Sequence, residues 1–181
     1  MIVDPFELES KPGYRDQLAR VDRLMEIVLS ADQLSLSGNL TFEDVIAFTC
    51  VSLWHLKDWI LNDVNFHADN VDELIGDIHG ERCLLVCADM ANGAKHAVLA
   101  RPKTAASVSD NQGIQLDSRA GIYQVFYYID SADPAEPYRG MEMRPFLQEC
   151  RAAWGRIIKK HYMSAIMRQM ERARQDQPAK R

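Results

Sequence analysis

The sequence has little of several features that would identify a function at once. Its 181 residues contain no apolar run of the roughly 18 residues that a membrane-spanning helix requires. Basic residues are not in excess, since the formal net charge is -5 at pH 7. A broadly basic surface for nucleic acid is therefore not expected, although a local basic patch can lie within an acidic average. The chain also does not open on the basic-then-apolar segment of a signal peptide, which predicts a cytoplasmic protein.

Cysteines are few, and their spacing does not match the common metal and redox motifs. Cys83 and Cys87 are separated by three residues, whereas zinc and thiol-disulfide motifs use the two of CxxC. Cys50 and Cys150 lie alone in apolar stretches. We expect four buried free thiols in a reducing compartment.

Motifs for several familiar catalytic chemistries are missing as well. No serine has a GxSxG context, no glycine-rich phosphate loop precedes a helix, and no HExxH is present. The Glu-x-x-His of di-iron helices is also absent. Acyl transfer and nucleotide hydrolysis of the usual kinds are not predicted. The sequence predicts neither a bound metal nor a cofactor.

The residues that are present predict a mainly α fold. Apolar residues recur at helical spacing over 14–32 and again over 41–63, where Thr41 and Asp44 have the spacing of a helix-capping box. The second of these helices is apolar around most of its circumference, which is typical of a central helix in a bundle. A short helix over "VDELIGDIHG" and a further helix over 81–99 follow.

The pattern then changes to β-branched and aromatic residues. "KTAASVSDNQGIQLDSRAGIYQVFYYID" predicts an antiparallel meander of two or three strands, with turns at "DNQG" and "SRAG". Pro145 fits the first turn of a helix of about 30 residues. We therefore expect one domain over 1–175, a bundle of four to five helices with a small antiparallel β-meander inserted at about 103–130 before the long C-terminal helix. Residues 176–181 are predicted to form a disordered tail.

Polar side chains recur at spacings of three and four on both predicted central helices. Such spacing places them on one stripe of each helix. If the two stripes face each other, they form a polar seam made by His55, Asp58, Asp89, Asn92, Lys95 and His96. Burying an unpaired carboxylate costs several kcal/mol. The seam is thus either a set of structural hydrogen bonds and ion pairs or a ligand or catalytic site.

Two stretches of these helices resemble a group of bacterial proteins. "LWHLKDWI", followed about 30 residues later by "CADMANGAKH", is similar to stretches in mostly helical bacterial proteins whose function is uncharacterised. The resemblance covers about residues 45–100. It implies a helical fold and no mechanism.

The last predicted helix carries a second candidate site in "RIIKKH". Arg156 and His161 match R-x4-H, the lower limit of the R-x4-6-H motif, and so resemble HEPN-type helical domains, many of them ribonucleases of toxin and phage-defence systems. The resemblance implies metal-independent RNA cleavage across a dimer cleft. His161 would help activate the ribose 2'-hydroxyl and Arg156 would stabilise the phosphate. In this chain the residue after the arginine is Ile157, where the motif usually has a polar residue.

Two functions of different classes remain open at this point. The first is a HEPN-like, RNA-directed ribonuclease or toxin component, and the seven basic residues within 156–174, counting His161, could bind RNA. The second is a non-catalytic helical interaction protein whose polar seam is structural. Apolar residues Ile166, Met167 and Met170 lie beyond the part of the last helix that a bundle can cover, which predicts a homodimer through that helix.

Overall fold

The fold is a helical bundle with one β-hairpin. In a computed structural model the described residues are 13–30, 41–63, 66, 68, 70–93, 104, 106–117 and 122–175. Their helices are α1 (Tyr14–Ser30), α2 (Phe42–Asn62), α3 (Val71–Gly80), α4 (Arg82–Gly93) and α5 (Met143–Gln175), and their strands are β1 (Ala106–Asp117) and β2 (Ile122–Ser131). The predicted fold class is confirmed. The predicted tail at 176–181 lies outside the described residues.

Helix α2 begins where the sequence places its capping box. The Thr41 hydroxyl accepts a hydrogen bond from the Asp44 backbone N–H, and the Asp44 carboxylate accepts one from the Thr41 backbone N–H. These bonds satisfy backbone donors that the first turn of a helix leaves without a partner. The Thr41 hydroxyl also donates to the Asp44 carboxylate, and this hydrogen bond, followed by that from the backbone N–H, lowers the pKa of Asp44.

Helices α2 and α4 form the centre of the bundle. Cys50 on α2 contacts α4 twice, through Met90 Sδ at 3.9 Å from its Sγ and through Cys87 Sγ at 3.4 Å from its backbone oxygen. Leu53, Leu56 and Leu84 are fully buried between the elements of the core. The two helices that carry the predicted polar stripes therefore pack against each other.

The hairpin differs from its prediction in one respect. We expected a turn at "DNQG", residues 110–113, but these residues lie inside β1. Val108 pairs with Ile129 and Gln112 pairs with Tyr127. Between these two pairs β1 advances by four residues while β2 advances by two. A β-bulge accommodates the extra residues, and the strand continues through the turn-forming sequence. The second predicted turn, 118–121, lies outside the described residues.

Helix α5 is the longest element, with 33 residues and a length of ~50 Å at 1.5 Å per residue. It begins at Met143, so that Pro145 falls in its first turn, as predicted. Its buried face includes Cys150, Trp154 and Ile157. None of the helices among the described residues combines the length and the apolar character needed to cross a bilayer.

Candidate functional site

A groove between α3 and α5 is lined in part by the Arg156–His161 stretch. It has a volume of about 550 Å³, and the helix-forming sequence "VDELIGDIHG" contributes two glycines to it. A Cβ atom added at Gly76 or Gly80 would meet nothing within 4 Å, so both positions are open on this side. The groove is lined by Gly76, Asp77, Gly80, Glu81, Arg156, Ile157 and Lys160.

Arg156 is bound by a carboxylate of the same chain. Its Nη2 donates to both Glu81 carboxylate oxygens at 2.9 Å, and its Nε donates to one of them at 3.3 Å. The Glu81 hydrogen bond raises the pKa of Arg156. A phosphate that approached this guanidinium would have to compete with a carboxylate that is already in place.

Asp77 binds two groups of α5 through one oxygen. Its Oδ2 accepts from Lys160 Nζ at 2.7 Å and lies 2.8 Å from His161 Nε2. Lys160 is also 3.0 Å from Glu73 Oε1. The hydrogen bond from Lys160, and after it that from His161, lowers the pKa of Asp77 against the opposing effect of burial. Asp77 is therefore a carboxylate that joins the two helices.

His161 is oriented by Asp77 and almost completely buried. An ionised carboxylate can only accept, so His161 Nε2 carries the proton of this hydrogen bond. In a neutral ring Nδ1 is then the basic nitrogen, which is the arrangement that a general base needs. Only 5% of the His161 side chain is exposed. A general base must come within hydrogen-bond reach of its substrate, and this burial restricts that access.

The first half of the predicted polar seam lies at the edge of α2. His55 Nδ1 is 3.2 Å from Asp58 Oδ2, and the two side chains are 40% and 49% exposed. Lys57 Nζ is 3.6 Å from the other carboxylate oxygen of Asp58. Asp58 also lines a small surface depression together with Trp59, Asn62 and Asp63. His55 and Asp58 thus form a half-exposed pair one helical turn apart.

The second half of the seam is buried. The Asp89 carboxylate accepts hydrogen bonds from the backbone N–H of Thr104 and, at 2.9 Å, from its hydroxyl. Asp89 is 1% exposed, and Thr104 stands just before β1, so this contact joins α4 to the hairpin. Asn92 is half-buried on the next turn. Lys95 and His96 lie outside the described residues, and the joint cluster of the two stripes stays a prediction.

The cysteines are free and buried, as the sequence predicts. Cys150 Sγ donates to the backbone oxygen of Cys83 at 3.4 Å, as Cys87 does to that of Cys50. Hydrogen bonding with Cys87 raises the pKa of Cys50, and burial raises the pKa of Cys150. The thiols of Cys50 and Cys150 therefore stay protonated and unreactive. Within the described part of the chain, no group of three or more histidine, cysteine or acidic side chains is arranged to hold a metal ion.

Three acidic residues that pair with side chains of α5 were missed from the sequence. Glu73, Asp77 and Glu81 recur every four residues, which is the spacing of one helix face. Arg156 and Lys160 have the same spacing on α5. Two oppositely charged stripes with one period are a signal for packing between two helices, and the structure pairs them.

Comparison with family models, with curated proteins and with solved structures gives no match to this chain. The geometry of the groove and of α5 is therefore the basis for the functional argument.

Proposed function

We propose that the protein is a non-catalytic helical interaction protein. The observation that carries this proposal is the pairing in the groove, where Glu81 binds Arg156 and Asp77 binds His161. In this arrangement the two residues of the RxxxxH stretch fasten α3 to α5. The homodimer predicted from the sequence is a separate proposal, supported by the exposed side chains of Tyr162, Met163, Met167 and Met170 on α5.

A nuclease assay with matched variants tests the proposal. The purified protein and its Arg156→Ala and His161→Ala variants are incubated with single-stranded, structured and transfer RNAs without divalent metal. We expect no cleavage above a buffer control. Arg151→Ala is the matched control, because Arg151 also joins α5 to another helix, with its Nε 2.6 Å from Asp22 Oδ1. Both arginine variants should lower the free energy of unfolding by no more than about 1 kcal/mol.

A HEPN-like, RNA-directed ribonuclease is the second candidate, and one observation favours it. Arg156 and Lys160 line the groove, and Asp77 in its lining holds the buried His161, so the types of group that metal-independent RNA cleavage uses lie near one another. Under this alternative, wild type cleaves RNA, and Arg156→Ala slows cleavage about 100-fold or more while Arg151→Ala does not. That result, obtained with folded variants, would contradict the interaction-protein proposal.

A further inference from the structure

One stripe of α5 runs continuously from the groove toward the C-terminal end of the helix. Arg156, Lys160, Met163, Met167 and Met170 follow each other at spacings of four, three, four and three. This is the repeat of a seam between two packed helices. The first two of these residues contact α3, and the three methionines continue the same line.

Helix α3 covers only the first part of this stripe. Glu81 contacts Arg156 and Glu73 contacts Lys160, so α3 runs antiparallel to α5 and begins, at Val71, near the level of Lys160. Beyond that level the stripe is uncovered, since Met163, Met167 and Met170 are 48%, 54% and 52% exposed. Val71 itself is 50% exposed. The apolar surface thus starts where α3 ends.

This exposed stripe is distinct from the face that α5 buries in its own bundle. The buried residues Trp154, Ile157 and His161 follow one another at spacings of three and four. Met163 comes two positions after His161, which turns it by about 200° around the helix. The bundle therefore cannot bury both faces of α5, and a separate surface is needed to cover the methionines.

We infer that the methionine stripe is covered by the same stripe of a second copy, with the two α5 helices antiparallel and Met167 at the two-fold axis. The inference rests on the interaction-protein proposal and names the partner. A two-fold contact of this kind uses one self-complementary surface on both chains. Methionine suits it, because its flexible thioether fills the irregular gaps between packed helices.

The sequence around the stripe is compatible with two α5 helices in close contact. If Met163 and Met170 are heptad positions d and Met167 is position a, Arg168 and Arg172 fall at the outer positions b and f. The positions that flank the stripe carry one charge among four residues, Ser164, Ile166, Glu171 and Ala173. Arg168 and Arg172 are therefore kept away from the line of contact between the methionines.

Charge complementarity favours the antiparallel direction. Positions 160 and 174 both lie seven residues from Met167, so an antiparallel pair brings Arg174 of one copy level with Lys160 of the other. At that level stands the acidic first turn of α3, with Asp72 and Glu73, since Glu73 contacts Lys160 at 3.0 Å. In a parallel pair, Arg174 would lie level with Arg174 of the second copy. The antiparallel pair thus brings each Arg174 level with two acidic residues and one lysine, whereas the parallel pair brings it level with a second arginine.

Sedimentation equilibrium of the full chain tests the dimer. We expect twice the chain mass of 20.6 kDa at tens of micromolar. Met167→Glu should return the protein to monomers, because it places two carboxylates at the two-fold axis. Ile27→Glu is the matched control, since Ile27 is exposed on α1, at 39%, and away from the stripe. A wild-type monomer at all concentrations would overturn the inference.

Cross-linking tests the direction of the helices. The four native cysteines are buried, so Met167→Cys adds an accessible thiol to the chain. Upon mild oxidation, Met167→Cys should form covalent dimers in high yield. Met163→Cys should not, because an antiparallel pair separates the two 163 positions by about 12 Å along the axis. Equal yields from both variants would indicate parallel helices and overturn the arrangement.

Co-sedimentation with vesicles of anionic phospholipid tests whether the methionine stripe binds a lipid surface instead of a second copy. Co-sedimentation of a monomeric protein with these vesicles, lost in Met167→Glu, would assign the stripe to a lipid surface and overturn the dimer. The failure of the dimer is separable from failure of the proposed function. A monomer that does not cleave RNA overturns only the dimer, whereas RNA cleavage that needs Arg156 and His161 overturns the non-catalytic role.

Discussion

At the scale of single residues, Asp89 shows how a buried carboxylate can be structural. It is almost fully buried, and both donors of Thr104 converge on one of its oxygens. Thr104 is buried too, so its backbone N–H depends on this acceptor. The stripe at 87–96 that the sequence singles out thus has, at Asp89, a role in joining α4 to the start of the hairpin.

Replacing Asp89 tests that role. Asp89→Ala leaves the buried Thr104 N–H without its acceptor and should lower the free energy of unfolding by about 1–3 kcal/mol. Asp89→Asn keeps an acceptor oxygen at the same place and should cost less. Chemical denaturation of both variants measures the two values. Equal stability of wild type and Asp89→Ala would contradict the structural role.

At the scale of elements, the helices could be predicted from the sequence because their signals are local. Apolar spacing and the Thr41–Asp44 capping box act within a few residues, so α1 and α2 begin and end within two residues of their predicted limits. The partners of Arg156 and His161 could not be predicted from such local signals. Asp77 is 84 residues before His161, and the pairing of α3 with α5 depends on the tertiary packing of the chain.

The failed prediction of a turn at "DNQG" has the same origin. Asparagine, aspartate and glycine favour turns locally, and the sequence alone contains no competing signal. The pairing of β1 with β2 on both sides of this stretch holds it within the strand, and a bulge absorbs the surplus residues. Local propensity was overridden by the ladder of hydrogen bonds.

The contact between α3 and α5 should make the free energy of unfolding depend on pH. The pKa of Asp77 is lowered in the folded protein, chiefly by Lys160, so its pairing stabilises the fold above its unfolded pKa of about 3.9. That stabilisation is lost as the pH falls through the lower, folded pKa. The difference in unfolding free energy between wild type and Asp77→Asn should therefore be largest near pH 5 and shrink toward pH 2. A difference that stays constant over this range would contradict the ionised pairing.

At the scale of the whole molecule, one face of α5 has two roles in this account. Near the bundle its charged residues contact α3, and beyond α3 we propose that its methionines contact a second copy. We propose that Asp77 and His161 stabilise the fold, which distinguishes an interaction protein from a ribonuclease whose histidine is kept available for RNA.

A double-mutant cycle tests this claim most directly. The free energy of unfolding is measured by chemical denaturation for wild type, Asp77→Ala, His161→Ala and the double variant, all at one protein concentration because dimerisation is linked to stability. We predict that the sum of the two single losses exceeds the loss in the double variant by about 1 kcal/mol or more, since each substitution removes the same partly buried hydrogen bond. Losses that add to within about 0.3 kcal/mol would show that the pair does not stabilise the fold, and would contradict the account.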